Sequence, residues 1–132
     1  MESRLKLLLD THALIWWLAG DDALSLPARQ AIANEDNPVA VSAASAMEVA
    51  TKFRIGKLPQ AALLAQDFEA VIAAQGFAEL HITVYHARLA GQMTIAHKDP
   101  FDRLLIAQAQ AEDMVLVSNE GLFDGFAVKR LW

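Results

Sequence analysis

The chain has 132 residues, 55% of them apolar and 20% charged, with a formal charge of −5 and no cysteine. This length suits a single domain, 1–132; the lack of cysteine excludes a disulfide framework and a thiolate metal site, and the acidic balance argues against a broadly basic nucleic-acid surface. No apolar run reaches the roughly 18–20 residues of a membrane helix, and the N-terminus lacks the basic, apolar, small-residue order of a secretory signal, so a reducing cytoplasm is the expected setting.

Leu5–Leu9, a short apolar run holding one lysine, is expected to be a buried strand. Asp10 interrupts it, and Thr11–Ala19 reads as a helix ended near Gly20 and the Asp21–Asp22 pair. Ser25 as N-cap and Pro27 in the first turn start a second helix. Val39–Ser42 reads as a second strand, followed by a helix from about Ala43 to Arg54 that stops at Gly56. Gln60–Gln75 is expected as one long amphipathic helix closed by Gly76, Leu80–Val84 as a strand and Tyr85–Met93 as a helix. Asp99 and Pro100 form a strong helix start, N-cap and first position, and that helix runs to about Glu112. Met114–Val117 and Ala127–Leu131 complete the strands. Strands alternating with helices imply α/β architecture: a central parallel sheet of about five short strands with helices on both faces. Such sheets bind ligands beyond the carboxyl ends of their strands. Asp10 takes that place after the first strand, and Ser118, Asn119 and Glu120 take it after the fourth.

Most of the sixteen acids sit in turns or on polar faces. Four stand in less ordinary places, and each also has a plain structural reading. Asp10 lies between Leu7, Leu8, Leu9 and the apolar helix that follows. It serves either as an N-cap, which stabilises by about 1 kcal/mol, or as a ligand at a strand end. Glu48 follows Ser45 at the Ser-x-x-Glu capping-box spacing and precedes Lys52 by one turn, so on its own it reads as structural and not plainly buried. Asp99 reads as a cap. Asp102 shares a helix face with Leu105, Ile106 and Ala109, at the edge of the core stripe, although a first-turn carboxylate also gains from the helix dipole. Glu120 follows the fourth strand in a loop, and Asp124 is a weaker choice there. A parallel sheet can bring these acids to one rim, and clustered carboxylates stay ionised only around a cation. With oxygen donors alone, Mg²⁺ or Mn²⁺ is the natural ion. The histidines show no zinc-ligand pattern; His97 lies near the acids in sequence.

Four segments, LLLDTHALIWWL, VSAASAMEVATKFRIGKL, HKDPFDRLLIAQA and LVSNEGLF, occur in this order over nearly the whole chain. In order and spacing they resemble the PIN domains, specifically VapC-type toxin ribonucleases. The resemblance implies a three-layer α/β/α fold, an acidic Mg²⁺ or Mn²⁺ site and cleavage of RNA. It places the family's acids on Asp10, Glu48, Asp102 (before the pattern D-x-x-x-I-A-x-A) and Glu120, where many relatives carry Asp; Asp10, Glu48 and Asp102 would position the metal, with Asp10 and Asp102 as its ligands. Thr11 and Ser118 match the family's small polar residues beside the first and fourth acids. Lys52, Arg54, Lys57, Lys98 and Arg103 lie near the motifs and could contact phosphates, with Lys52 and Arg54, beside Thr11 and Ser118, the candidates for substrate binding; for any single cation, ordinary surface solubility is the favoured reading. The resemblance also implies a homodimer and an antitoxin partner covering the acidic site. Trp16 and Trp17 are adjacent on a helix and point about 100° apart, so one core pocket cannot hold both, and the high apolar content suggests exposed apolar surface. Two other readings stay open: a haloacid-dehalogenase-like phosphatase, against which His12 stands where a second acid is usual, and a PIN-fold interaction module without activity.

Overall fold

Leu7, Leu8 and Leu9 form β1 (Leu7–Leu9), and all three side chains are fully buried. A strand with both faces buried belongs inside a sheet covered on both sides, and its residues alternate between the two layers. Leu7 and Leu9 enter one apolar cluster and Leu8 the other. The structure, a computed structural model, describes residues 4–94 and 99–132. The other strands are β2 (Val39–Ser42), β3 (Ala78–Leu80), β4 (Val115–Val117) and β5 (Lys129–Leu131). They join β1 in a five-stranded sheet of order β3-β2-β1-β4-β5. Every pairing is parallel, with Leu8 opposite Ala40 on one side and Leu116 on the other.

On the face that takes Leu7 and Leu9 lie α1 (Thr11–Ala19), α2 (Leu26–Ala33), α3 (Ala43–Arg54), α4 (Ala62–Gln66) and α5 (Phe68–Ala74). They contribute Leu14, Ile32, Val49, Leu64 and Ile72 to that cluster. The opposite cluster is closed by Leu105, Ile106 and Ala109 of α7 (Pro100–Ala111) and by Phe123 of a 3-10 turn, Gly121–Gly125. Beside α7 packs α6 (Val84–Gln92). This is the expected three-layer α/β/α arrangement. No helix among the described residues is long and apolar enough to cross a membrane.

Four elements differ from their sequence-based expectation, one of them β5, which starts at Lys129 and not at Ala127. The single helix over Gln60–Gln75 is instead a 3-10 turn, Pro59–Ala61, followed by α4 and α5. Asp67 breaks it: its backbone is non-helical (φ −150°, ψ 68°) and its carboxylate accepts the Ala70 N–H at 3.4 Å, the side-chain competition that makes Asp a better cap than an interior residue. The strand expected over Leu80–Val84 is Ala78–Leu80, because Thr83 ends extended structure and starts α6 with a reciprocal cap. The Thr83 hydroxyl accepts the His86 N–H, and His86 Nδ1 accepts the Thr83 N–H, each at 3.1 Å. His stands outside the usual Glu/Gln pattern at that position, so the sequence carries no ordinary capping-box signal here. The first strand begins pairing only at Leu7, and the Leu5 N–H is held by Asn37 Oδ1 at 3.0 Å.

The adjacent tryptophans pack in different directions, as their spacing requires. Trp16 lies against His12 and Trp132, while Trp17 lies against Phe77 and donates its indole N–H to Gln75 Oε1 at 2.9 Å. Both are half-buried against the first cluster. The most exposed large apolar side chains among the described residues lie elsewhere, on Leu63, Val84, Met47, Leu26 and Leu122.

Candidate active site

From β1 the chain moves outward on one side to β2 and β3, then crosses to β4 and β5 on the other. The crevice beyond the carboxyl ends of β1 and β4 is therefore the switch point of the sheet, where folds of this kind hold ligands. Asp10 leaves β1 into that crevice and Ser118 leaves β4 into it. The Asp10 N–H donates to Val117 O at 3.1 Å, which seals the backbone there. Its side chain caps α1, with Oδ1 accepting the Ala13 N–H at 2.7 Å. Asp10 is thus a cap, as one reading had it, and it is also 8% exposed. Burial pushes its carboxyl pKa above the ordinary value; the Ser118 hydroxyl, the Ala13 N–H and His12 oppose this, and the charge of Asp102 adds to it. Asp10 and Asp102 thus sense each other across the crevice.

Glu48 comes from α3 and is 6% exposed, more buried than its helical neighbours suggested. Nor does Ser45 form a capping box with it. The α3 N-cap is Ser42, whose Oγ accepts the Ala44 N–H at 2.9 Å. Ser45 Oγ instead lies 3.1 Å from Thr11 Oγ, which donates to Glu48 Oε1. The expected Glu48–Lys52 pair is present at Oε2. The Lys52 pKa is pushed up, chiefly by its hydrogen bond to Glu48 and further by the charges of Glu48, Asp99 and Asp102, with burial opposing. Asp99 is the N-cap of α7, accepting the Phe101 and Asp102 N–H groups at 2.9 and 3.4 Å. Asp102 follows in the first turn, half-buried.

The arrangement therefore gathers Asp10, Asp102, Glu48, Thr11, Ser118 and Lys52 at one edge, with Asp99 bordering them. Glu120 is placed differently. It is exposed and caps its own turn, accepting the Leu122 N–H at 3.2 Å, while its N–H donates to Ser118 Oγ at 3.0 Å. Asp124, beyond it, is clamped by Arg130 at 2.8 and 2.9 Å, and the same arginine donates to Ser118 O at 3.0 Å. The Asp124 pKa is lowered by that pairing.

Over residues 7–129 the sequence matches the PIN domain. The chain belongs to the PIN domain family. No curated protein matches it significantly. Among solved structures, the VapBC2 complex from Rickettsia felis, bound to a DNA fragment from its promoter, aligns with a TM-score of 0.69 at 14% identity, covering 97% of this chain and 99% of that one. The sarcin–ricin loop cleaving toxin VapC20 of Mycobacterium tuberculosis aligns with 0.67 at 16% identity, covering 93% and 96%. A toxin–antitoxin complex from Klebsiella pneumoniae aligns with 0.65 at 20% identity, covering 96% and 97%. At these identities the likeness is one of fold.

In this PIN domain no three His, Asp or Glu side chains among the described residues converge as a ready-made metal cluster. The Asp10–Asp102 pair still suits a hard divalent cation. Mg²⁺ is commonly held by one or two carboxylates with water completing its shell, and a buried carboxylate beside a like charge is the group whose ionised form a cation favours. The cations named from sequence separate in the structure. Lys52 lies among the acids, whereas Arg54 and Lys57 are exposed at and beyond the end of α3. Arg103 donates to Ala90 O at 3.1 Å and Met93 O at 2.7 Å, tying down the end of α6. His97 and Lys98 lie outside the described residues.

A buried polar chain behind the site was missed. Ser42 Oγ pairs with Gln108 Oε1 at 2.5 Å, and Gln108 Nε2 donates to His81 O at 3.2 Å and lies 3.4 Å from His86 Nδ1. His86 Nε2 meets Glu112 Oε2 at 2.9 Å. The available signal was an amide three residues past Leu105, on the apolar stripe of α7.

Proposed function

We propose that this PIN domain is a divalent-metal-dependent endoribonuclease of the VapC type, the toxin of a toxin–antitoxin pair. The observation that carries the reading is the buried Asp10 carboxylate at the switch point, with Asp102 facing it. Support also comes from the solved relatives, one of which is a sarcin–ricin loop cleaving toxin. Asp10 and Asp102 would hold Mg²⁺ or Mn²⁺. When bound, the ion supplies an activated water and stabilises charge on the phosphate and the leaving oxygen. The Ala13 N–H and the Ser118 hydroxyl hold Asp10 in one orientation. Thr11 and Lys52 hold Glu48, and Lys52 and the exposed Arg54 bring positive charge toward an RNA backbone. Glu120, exposed and capping its own turn through Oε1, stands apart from these acids. An antitoxin is the expected partner, with a segment carrying Arg suited to the carboxylates, and the working form is a cytoplasmic homodimer.

Incubation of RNA with nuclease-free protein tests this directly. Cleavage is expected with Mg²⁺ or Mn²⁺ and none with EDTA; undiminished cleavage in EDTA would refute the metal role. A phosphatase of the haloacid-dehalogenase kind would instead form an acyl-phosphate at Asp10, and an inactive module would do neither. Asp99, the cap of α7, and Asp102, in its first turn, separate in metal-binding calorimetry. Asp102→Asn is expected to weaken Mn²⁺ binding by more than the roughly 10–100-fold typical of losing a group that only orients a metal ligand, whereas Asp99→Asn is mild because Asn caps about as well as Asp. Calorimetry giving the reverse order would exchange their roles. Light scattering at micromolar concentration should give twice the 14.4 kDa chain mass, rising when the neighbouring gene product is added; a constant monomer mass counts against both assemblies.

A further inference from the structure

Both carboxylate oxygens of Glu48 are engaged from within the chain, Oε1 by the Thr11 hydroxyl and Oε2 by the Lys52 ammonium. Glu48 is buried, while Lys52 keeps about a third of its side chain in solvent (32%) one helical turn further on. A buried carboxylate with a cation at contact is a settled pair, and removing one partner leaves the other charge uncompensated. The ammonium also senses Asp99 and Asp102, so it sits within the field of three acids. A second divalent ion placed on Glu48 would meet this fixed positive charge at close range.

We propose that Lys52 is a built-in second cation of the site: it holds Glu48 out of metal coordination, so the domain takes one divalent ion, at Asp10 and Asp102, where the carboxylates would otherwise take two. This rests on the metal-dependent reading above. Lys52 is then a positioning residue acting through Glu48, and its effect is on how many ions bind.

Counting Mn²⁺ bound per chain, by electron paramagnetic resonance and by calorimetry without RNA, tests the assignment. The wild-type protein should bind one ion. Lys52→Met removes the charge and should bind two, and Lys52→Gln should do the same with a polar side chain of similar reach. Lys52→Arg retains the cation and should return the count to one. Adding Glu48→Gln to Lys52→Met should also return it to one, because the second ion would have lost its carboxylate. Two ions on the wild-type protein, or one on both neutral variants while circular dichroism shows them folded, would overturn the role of Lys52 and leave the metal site standing. No bound ion on the wild-type protein would overturn the metal-dependent reading itself, and this inference with it.

Discussion

Asp10→Asn is expected to abolish RNA cleavage while raising the melting temperature of the metal-free protein. The amide keeps the shape of the side chain and can still accept the Ala13 N–H as N-cap, since Asn and Asp cap about equally. What it removes is a charge held in an unfavourable place. Burial raises the Asp10 pKa above 3.8, and Asp102 raises it further. The folded state thus binds the Asp10 proton more tightly than the unfolded chain. By linkage this favours folding at low pH, and the benefit is lost as pH rises from the unfolded value through the raised folded one. The stability advantage of Asp10→Asn should therefore be negligible below pH 3.8, widen above it and level off once pH passes the folded pKa. Each kcal/mol relieved corresponds to roughly 3–5 °C for a domain of this length. Mn²⁺ should reverse the order, because only a protein that binds the ion is stabilised by it. Cleavage should fall on the order of 10³-fold or more, as for removal of one member of a catalytic unit. A folded, nuclease-free Asp10→Asn preparation that cleaves at the wild-type rate would remove Asp10 from the chemistry. A lower melting temperature than wild type in EDTA at neutral pH would show that its charge is well accommodated without metal.

Gln108→Leu is expected to cost about 2–4 kcal/mol, a large part of the 5–15 kcal/mol typical of a whole domain. Leu fills nearly the same volume, so the cost is one of unmet hydrogen bonds rather than of a cavity. Gln108 is fully buried, and its loss leaves the Ser42 hydroxyl and His81 O without their amide partner. Ser42 is also the N-cap of α3, the helix that carries Glu48 and Lys52, so cleavage should weaken as well. Urea denaturation should show a lower midpoint with an unchanged slope. Adding Ser42→Ala should cost less than the sum of the two single changes, because both partners of one bond are then absent. A loss below about 0.5 kcal/mol for Gln108→Leu would mean that the pair is replaceable by apolar packing.

Much of this architecture could be read directly from residue order. The unbroken leucines of β1, the Ser25–Pro27 and Asp99–Pro100 helix starts and the alternation of elements specify the three layers, because each is a local signal that tertiary packing reinforces. Where a polar residue competed with periodicity, the pattern misled. Asp67 divides a stretch whose apolar spacing suggested one helix, and Thr83 with His86 starts a helix where alternation suggested a strand. That Asp10, Asp102 and Ser118 meet at the switch point was legible because strand ends and helix starts have fixed places in such a sheet. The burial of Glu48 was not legible. Its own helix face is mixed, and the contacts that enclose it come from Thr11 at the start of α1, far away in sequence. Gln108 escaped for the same reason: its partners lie on β2, the segment before α6 and α6 itself.

The sheet order also bears on when the crevice comes into being during synthesis. Its walls, β1 and β4, lie near opposite ends of the chain, and between them the chain completes β2 and β3 on the far side. Parallel pairing over such separation pays its loop-closure entropy before any contact rewards it, and it is slow for that reason. A nascent chain that has not yet extruded β4 has Asp10 at the end of a strand with one side open, and it lacks Ser118. The crevice is thus among the last parts of the molecule to assemble, and a chain that stops before β4 does not contain it.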